Sequence, residues 1–527
     1  MKRKQSFFMG VILLASAGII VKLLGFVYRV ALTNLPGYGD EGNGIYGAGF
    51  QVYLLLYAFC STGFSSAISK MIAERMAVGN WRAAHKVFKV GFWLLFMTGL
   101  VCSTLFFTSA EYIANLISNP RAFFTMAALS PTIFFVSVMS ALKGYFQGMQ
   151  NMAPLAVSQI LEQMVKTVVA IFLAYLLIPH GAEIAAAGAT AGTTIGAAAG
   201  ASYLWGLYYI KKRELWTNIR NFSIRKKSES ILHIIKNIIK ISFPISLGAI
   251  VMTAANIIDL ATVMRLLEKA GMDNDTANRL YGILTGKCYV LTNFPVSITM
   301  ALSTSLVPAI AWAVAKKDLK SASEKIIAAV RLTLIICLPS SVGMAILSKP
   351  ILLMLFPSSS DGAYLLSASA SVIVFIGLTQ IMSGVLQGLG KPYIPTIGLF
   401  AGALVKLSVN YYLMPVPSIN IKGAVYGTLA CYIVSTLICI IGLIFNFRLN
   451  LDTRNSIIKP MIAAALMGIA TYYTYFCLYD VTGSNTVAAI ISILISACVF
   501  FILLFVFGAL NKKDLSRISF GNNIARR

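Results

Sequence analysis

The sequence predicts an all-α membrane protein with fourteen transmembrane helices. Three observations carry that expectation. Of 527 residues, 58% are apolar and only 12% are charged, against about 45–50% and about 25% in an ordinary soluble domain. The apolar residues fall in runs of roughly 20, the length that crosses a bilayer core about 30 Å thick. The basic residues collect in alternate connections between those runs. Lys and Arg number 43 against 18 Asp and Glu, a formal net charge of +25. A nucleic-acid binder this basic would carry many more charges on a less apolar body. Disorder and a disulfide scaffold are excluded by the same composition.

In chain order the spans are expected at 9–32, 45–74, 88–108, 121–147, 155–178, 184–210, 238–266, 281–314, 326–347, 362–387, 394–415, 423–447, 458–479 and 485–510. Several exceed the minimum, which implies tilt or ends that protrude into water. The start, Met1-Lys2-Arg3-Lys4 with Ala15-Ser16-Ala17 beyond it, imitates a signal peptide. Its apolar run continues well past that point, so it reads as an uncleaved first helix. A cytoplasmic N-terminus puts 30 Lys and Arg in inner connections and 5 in outer ones. That asymmetry also places the C-terminus in the cytoplasm. The basic stretch from Lys211 to Lys227 reads as a topology anchor that can also meet anionic lipid headgroups.

Eight cysteines lie inside apolar stretches without a C-x-x-C pair and read as small core hydrophobes. His85, His180 and His233 fall in expected loops or linkers. No His–carboxylate cluster occupies the apolar segments, so zinc hydrolysis is not expected; no metal site or cofactor is expected in the chain. No catalytic constellation appears, which favours a carrier over an enzyme.

An internal repeat organises the chain. Gln147-Gly148 returns as Gln387-Gly388, Val165-Lys166 as Val405-Lys406 and Ser61-Thr62 as Ser303-Thr304. Gly188-Ala189 with Gly192-Thr193 returns as Gly423-Ala424 with Gly427-Thr428, and Tyr46-Gly47 as Tyr281-Gly282. Six spans therefore repeat as the next six. Because six is even, the two copies enter the membrane from the same side and form a parallel repeat. The expected division is an N-terminal lobe at 1–210, a basic cytoplasmic linker at 211–237, a second lobe at 238–447, and two added spans with a basic tail at 448–527.

Apart from the span-end residues already counted with the connections, eight basic residues lie within the spans: Lys22, Arg29, Lys70, Lys143, Lys166, Arg265, Lys287 and Lys406. By the same count only Glu162 and Asp259 oppose them. A Lys or Arg at mid-bilayer costs about 2.5–3.5 kcal/mol, and snorkelling explains those near span ends, namely Lys143, Lys70 and Arg265. Lys166 and Lys406 sit about 16–18 Å into their spans and are repeat partners. Lys22 is equally deep, and Arg29, seven residues on, returns to its face. Glu162 is expected to pair with Lys166 four residues later, and Asp259 with Lys22. The surplus positive charge predicts a hydrated cavity for an anionic cargo. Pro244, Pro295 and Pro308 each remove a backbone hydrogen bond, so those spans can bend.

These residues carry a resemblance. Lys22-Leu23-Leu24-Gly25-Phe26-Val27-Tyr28-Arg29 resembles the first-helix motif of the MurJ-type lipid II flippases. Ser61-Thr62-Gly63-Phe64 and Gly144-Tyr145-Phe146-Gln147-Gly148, followed by Pro154, resemble the stage V sporulation protein B-like branch. Both belong to the multidrug/oligosaccharidyl-lipid/polysaccharide exporter superfamily. The resemblance implies alternating-access export of an undecaprenyl-pyrophosphate-linked saccharide, such as lipid II, across a bacterial cytoplasmic membrane. It implies a monomeric carrier, membrane lipids as neighbours, cell-wall synthesis proteins as associates, no nucleic acid, and coupling to membrane potential or a monovalent cation. Lys22, Arg29, Lys166, Lys287 and Lys406 are the expected cargo-binding residues, with Glu162, Asp259 and Arg265 in charge pairing or gating. The chain departs from the family at two places. Arg29 sits one residue late, with Tyr28 in its place, and Tyr57 stands where an arginine is expected. A related cation-coupled drug extruder would need an acidic cavity. An O-antigen or teichoic-type flippase shares the pyrophosphate anchor, and a cell-wall or spore assembly scaffold is the reading without transport.

Overall fold

A computed structural model describes residues 7–222, 229–315, 318–447 and 454–508. Every regular element among them is helical. The basic N-terminal tetrapeptide, the run Arg225-Lys226-Lys227 and the C-terminal tail lie outside the described residues. Two compact units divide the chain, Met1–Gly286 and Lys287–Arg527.

The first unit begins with α1 (Phe7–Thr33) and α2 (Gly39–Tyr57), which runs through a π-helical turn, Ala58–Thr62, into α3 (Gly63–Ala77). Gly37 turns the chain between α1 and α2 at φ +84°, a conformation that a side chain resists. Then come α4 (Trp81–Leu116), a 3₁₀ turn at Pro120–Ala122, α5 (Phe123–Gly148), α6 (Ala153–Leu177), α7 (Ala182–Phe222), α8 (Ile231–Lys269) and α9 (Asn274–Ile283). Asn80, Ser230 and Asp273 each accept a hydrogen bond from the backbone N–H three residues on, capping α4, α8 and α9. Phe88, Tyr145 and Tyr208 form an aromatic knot in the core, with centroids 4.5–5.6 Å apart.

The second unit holds α10 (Tyr289–Ala315), α11 (Leu319–Ile346), the short α12 (Ser348–Leu355), α13 (Ala363–Ala370), α14 (Val372–Gly388), α15 (Tyr393–Leu413) and α16 (Lys422–Asn446). A π turn at Arg454–Ile458 leads into α17 (Lys459–Thr482), and α18 (Asn485–Val506) follows. Ile326, Val330, Ile381 and Val385 lie in its core, where α11 and α14 pack together. Between α11 and α17 runs an apolar groove of about 500 Å³, lined by Val342, Ile346, Ala465, Gly468, Ile469, Tyr472 and Tyr473.

Eleven helices among the described residues are long and apolar enough to cross a membrane. The protein is therefore a multi-pass membrane protein. At 1.5 Å per residue, the 41 residues of α7 reach about 60 Å, twice the thickness of a bilayer core.

The compact-unit boundary differs from the division expected from the repeat. It falls inside the π turn Leu284–Cys288, and residues 238–286 pack with the first unit. Close backbone approach explains the packing. A Cβ at Gly63 would lie 2.3 Å from the Ser242 carbonyl oxygen, and one at Gly282 would lie 1.8 Å from that of Asp40.

The repeat itself recurs as packing. In the α6–α7 pair Gly188 sits against Leu173 and Gly192 against Ala170. In the α15–α16 pair Gly423 sits against Leu413 and Met414, and Gly427 against Asn410. The same small-residue seam lets both helix pairs approach closely.

Candidate functional site

In the first unit α1, α2 and α6 bring two cations onto a ladder of rings. Tyr46, Phe50, Tyr53 and Tyr57 follow one another along one face of α2, because steps of three and four residues return to the same side of a helix. Their centroids are 5.3, 5.4 and 5.9 Å apart in succession. The Arg29 guanidinium lies 4.1 Å from the Tyr46 ring centre. The Lys166 ammonium lies 4.8 Å from the Phe50 ring and 5.6 Å from the Tyr28 ring. Tyr28 and Tyr46 are buried, whereas Arg29 and Lys166 are half-buried. Ring faces attract cations without neutralising them, so the charge stays available to a further partner.

Two side chains behind Arg29 order it. Its Nη1 donates to Asn43 Oδ1 at 3.4 Å, and Asn43 Nδ2 donates to Thr33 Oγ1 at 2.8 Å. The Thr33 hydroxyl donates in turn to the Arg29 carbonyl at 2.8 Å. Sequence reading missed Asn43, Thr33 and the aromatic ladder. The four-residue spacing of Tyr46 and Phe50, beside Tyr28-Arg29, was the available signal.

The first unit's remaining residues singled out by sequence lie on α1, α3, α5, α6 and α8. Lys22 is exposed on α1 and Asp259 is buried on α8. The Glu162 carboxylate faces Lys143 at 3.6 Å and not Lys166, so the expected pair is exchanged for one between α6 and α5. The preference has an electrostatic reason: Lys166 is drawn toward the rings of α1 and α2. Lys143 therefore carries a carboxylate partner instead of snorkelling. Arg265 is exposed and donates to the Leu116 carbonyl, which caps the C-terminus of α4. Lys70 is exposed.

In the second unit Lys287 is wholly buried. Its ammonium donates to the Ser359 carbonyl, to Ser359 Oγ at 3.1 Å and to the Asp361 carbonyl at 3.5 Å. The Phe356 ring lies 5.7 Å away. The loop between α12 and α13 thus wraps this charge. Lys406, on α15, is 1% exposed, and its carbonyl lies along the Gly427 seam with α16.

Where α2, α7 and α9 begin, one arginine joins three helices. Arg121 pairs with Glu41 at 2.5 Å, Glu183 at 2.5 Å and Asp275 at 2.7 Å. Asn278 Nδ2 donates to the Glu41 carbonyl at 3.1 Å, and Asn274 Nδ2 to the Ser118 carbonyl at 2.9 Å. No group of three or more His, Cys, Asp or Glu that could hold a metal occurs among the described residues.

The chain is thus a multi-pass helical protein with duplicated helix pairs and, in its first unit, cations set against an aromatic ladder. Residues 7–314 match the polysaccharide biosynthesis protein family, and residues 286–412 match MatE. The chain belongs to the polysaccharide biosynthesis protein family. It is 27% identical to stage V sporulation protein B of Bacillus subtilis (strain 168), over 98% of each chain. It is 24% identical to lipid II flippase MurJ of the same organism, over 88% of this chain and 87% of that one. The solved structure of lipid II flippase MurJ in an inward closed conformation superposes with a TM-score of 0.68 at 17% identity, covering 96% of this chain and 99% of that one.

Proposed function

We propose that this protein is an alternating-access flippase that moves an undecaprenyl-pyrophosphate-linked saccharide, lipid II foremost, from the inner to the outer leaflet of a bacterial cytoplasmic membrane. This reading has fourteen crossings, with α7, α8 and α10 completing the eleven, and leaves both termini in the cytoplasm. The family and the relatives' names support the cargo class. The observation that carries the reading is the pair Arg29 and Lys166. Among the described residues neither makes an ion pair, and both lie on aromatic faces.

A pyrophosphate needs such a place. Removing a polyanion from water is costly unless charge-assisted hydrogen bonds replace its hydration. A guanidinium gives two parallel donors to phosphate oxygens, and an ammonium gives a point charge. Lys22, Lys287 and Lys406 remain cargo candidates in this reading, Lys406 as the repeat partner of Lys166. An apolar groove such as that between α11 and α17 suits a prenyl chain that stays in lipid while its headgroup crosses. Outward movement of an anion gains about 2.3 kcal/mol per charge per 100 mV from an inside-negative membrane, so potential alone can supply direction. A single chain is sufficient for this cycle, with cell-wall enzymes acting before and after it.

The test is translocation in sealed vesicles. Proteoliposomes loaded with fluorescent lipid II should expose the headgroup to an outer reagent, and Arg29→Ala and Lys166→Ala should slow exposure at unchanged protein content. Exposure equal to that of protein-free vesicles would remove transport and favour an assembly scaffold. Equal activity on an O-antigen-type headgroup would widen the cargo to the shared pyrophosphate anchor.

A further inference from the structure

Asn43 occupies a position that cargo contact alone does not explain. It is wholly buried, near the start of α2, and its amide is used on both sides. The oxygen accepts from Arg29, and the nitrogen donates to Thr33. Its other flank meets Gly286 in the π turn that follows α9. A Cβ at 286 would lie 2.6 Å from Asn43 Cγ and 2.7 Å from Nδ2, so only a glycine lets the turn approach this closely. A π turn inside a helix is marginal in hydrogen bonding and recurs at functional sites.

We infer that Asn43 is a positioning residue that couples the Arg29 guanidinium to the π turn at Gly286. The inference rests on the reading of Arg29 as a cargo-facing cation. While Gly286 backs Asn43, the amide cannot rotate without losing Thr33 or Arg29, and the guanidinium is held over Tyr46. When the π turn shifts, Asn43 gains room and Arg29 loses its fixed pose. Grip on an anion then follows the state of α9, with no group shared between the two events except one amide.

Binding of undecaprenyl pyrophosphate to the purified full chain in detergent tests this. Arg29→Ala should weaken binding about tenfold, the order expected for one charged contact. Asn43→Ala should produce most of the same loss, and the double variant should be no worse than Arg29→Ala, because the two act as a unit. Gly286→Ala should weaken binding in the wild-type background, and less so once Asn43 is glycine, which removes the Cβ lying 2.8 Å from a Cβ at 286. Phenylglyoxal labelling, read by peptide mass spectrometry, should modify Arg29 faster in Asn43→Ala, a signature that loss of packing elsewhere would not give. Thr33→Val, which removes the far anchor of the amide and the hydroxyl donor to the Arg29 carbonyl, provides a milder variant if Asn43→Ala does not fold. Additive losses for Arg29→Ala and Asn43→Ala, or unchanged Arg29 labelling, would overturn the coupling. Unchanged binding by Arg29→Ala would instead overturn the cargo assignment and the coupling with it.

Discussion

Asn119 Nδ2 donates to Asn278 Oδ1 at 2.9 Å, and both residues are wholly buried. The bond ties the 3₁₀ turn ahead of α5 to the middle of α9, beside Gly44, whose missing side chain leaves room for Asn278. It also shows why α9 belongs with the first unit.

Asn278→Leu should therefore destabilise the protein by about 1–3 kcal/mol, the cost of stranding a buried amide and a buried carbonyl. Thermal unfolding in detergent measures it. Removal of both amides, in Asn119→Leu/Asn278→Leu, should cost less than the sum of the two single changes.

Arg121→Met should loosen α2, α7 and α9 together. The Asp275 side chain is 75% exposed, so its share is small. The Glu41 and Glu183 contacts are better shielded. Arg121→Lys should recover only part of the loss, because an ammonium cannot present a planar fork to three carboxylates. Raised salt should narrow the difference between wild type and Arg121→Met, as melting curves at two ionic strengths would reveal.

Lys287 and Lys166 should fail in different ways. Lys287→Ala removes the donor from the Ser359 and Asp361 carbonyls and should lower the melting temperature, at about 1–3 kcal/mol. Lys166→Ala takes a half-buried ammonium off aromatic faces and should leave melting almost unchanged while transport falls. A vesicle assay run beside thermal unfolding separates the two.

Acid should act on the start of α9. The Thr276 hydroxyl, then its backbone N–H, hold the exposed Asp273 carboxyl below its ordinary value. A depressed carboxylate stabilises the folded state above its unfolded pKa of about 4 and loses that contribution as pH falls through the folded value. Amide exchange in α9, corrected for intrinsic rate, should rise below pH 4. Asp273→Asn, a cap that does not titrate, should remove the rise.

The helices were largely legible because a bilayer demands long apolar runs, and composition alone declares them. The cations were legible as a surplus but not in their partners. Lys143 and Glu162 are nineteen residues apart on successive helices, and no local spacing rule forecasts their meeting. The cage around Lys287 comes from a loop more than seventy residues later, which no local spacing forecasts. Offsets near 240 found the glycine seams of α6–α7 and α15–α16, since close packing leaves small residues at fixed intervals. They did not reveal that 238–286 would settle with the first unit, because that depends on particular encounters such as Gly63 with Ser242.

The Arg121 junction has one more consequence. Three separate bridges could yield one after another and permit graded slackening. A single guanidinium that serves as hub for three helix starts makes their release interdependent: a swing of Arg121 breaks all three contacts at once. Motion at that end of the first unit is thereby biased toward an abrupt, cooperative step, which a single-molecule distance probe on α9 would register as two discrete levels.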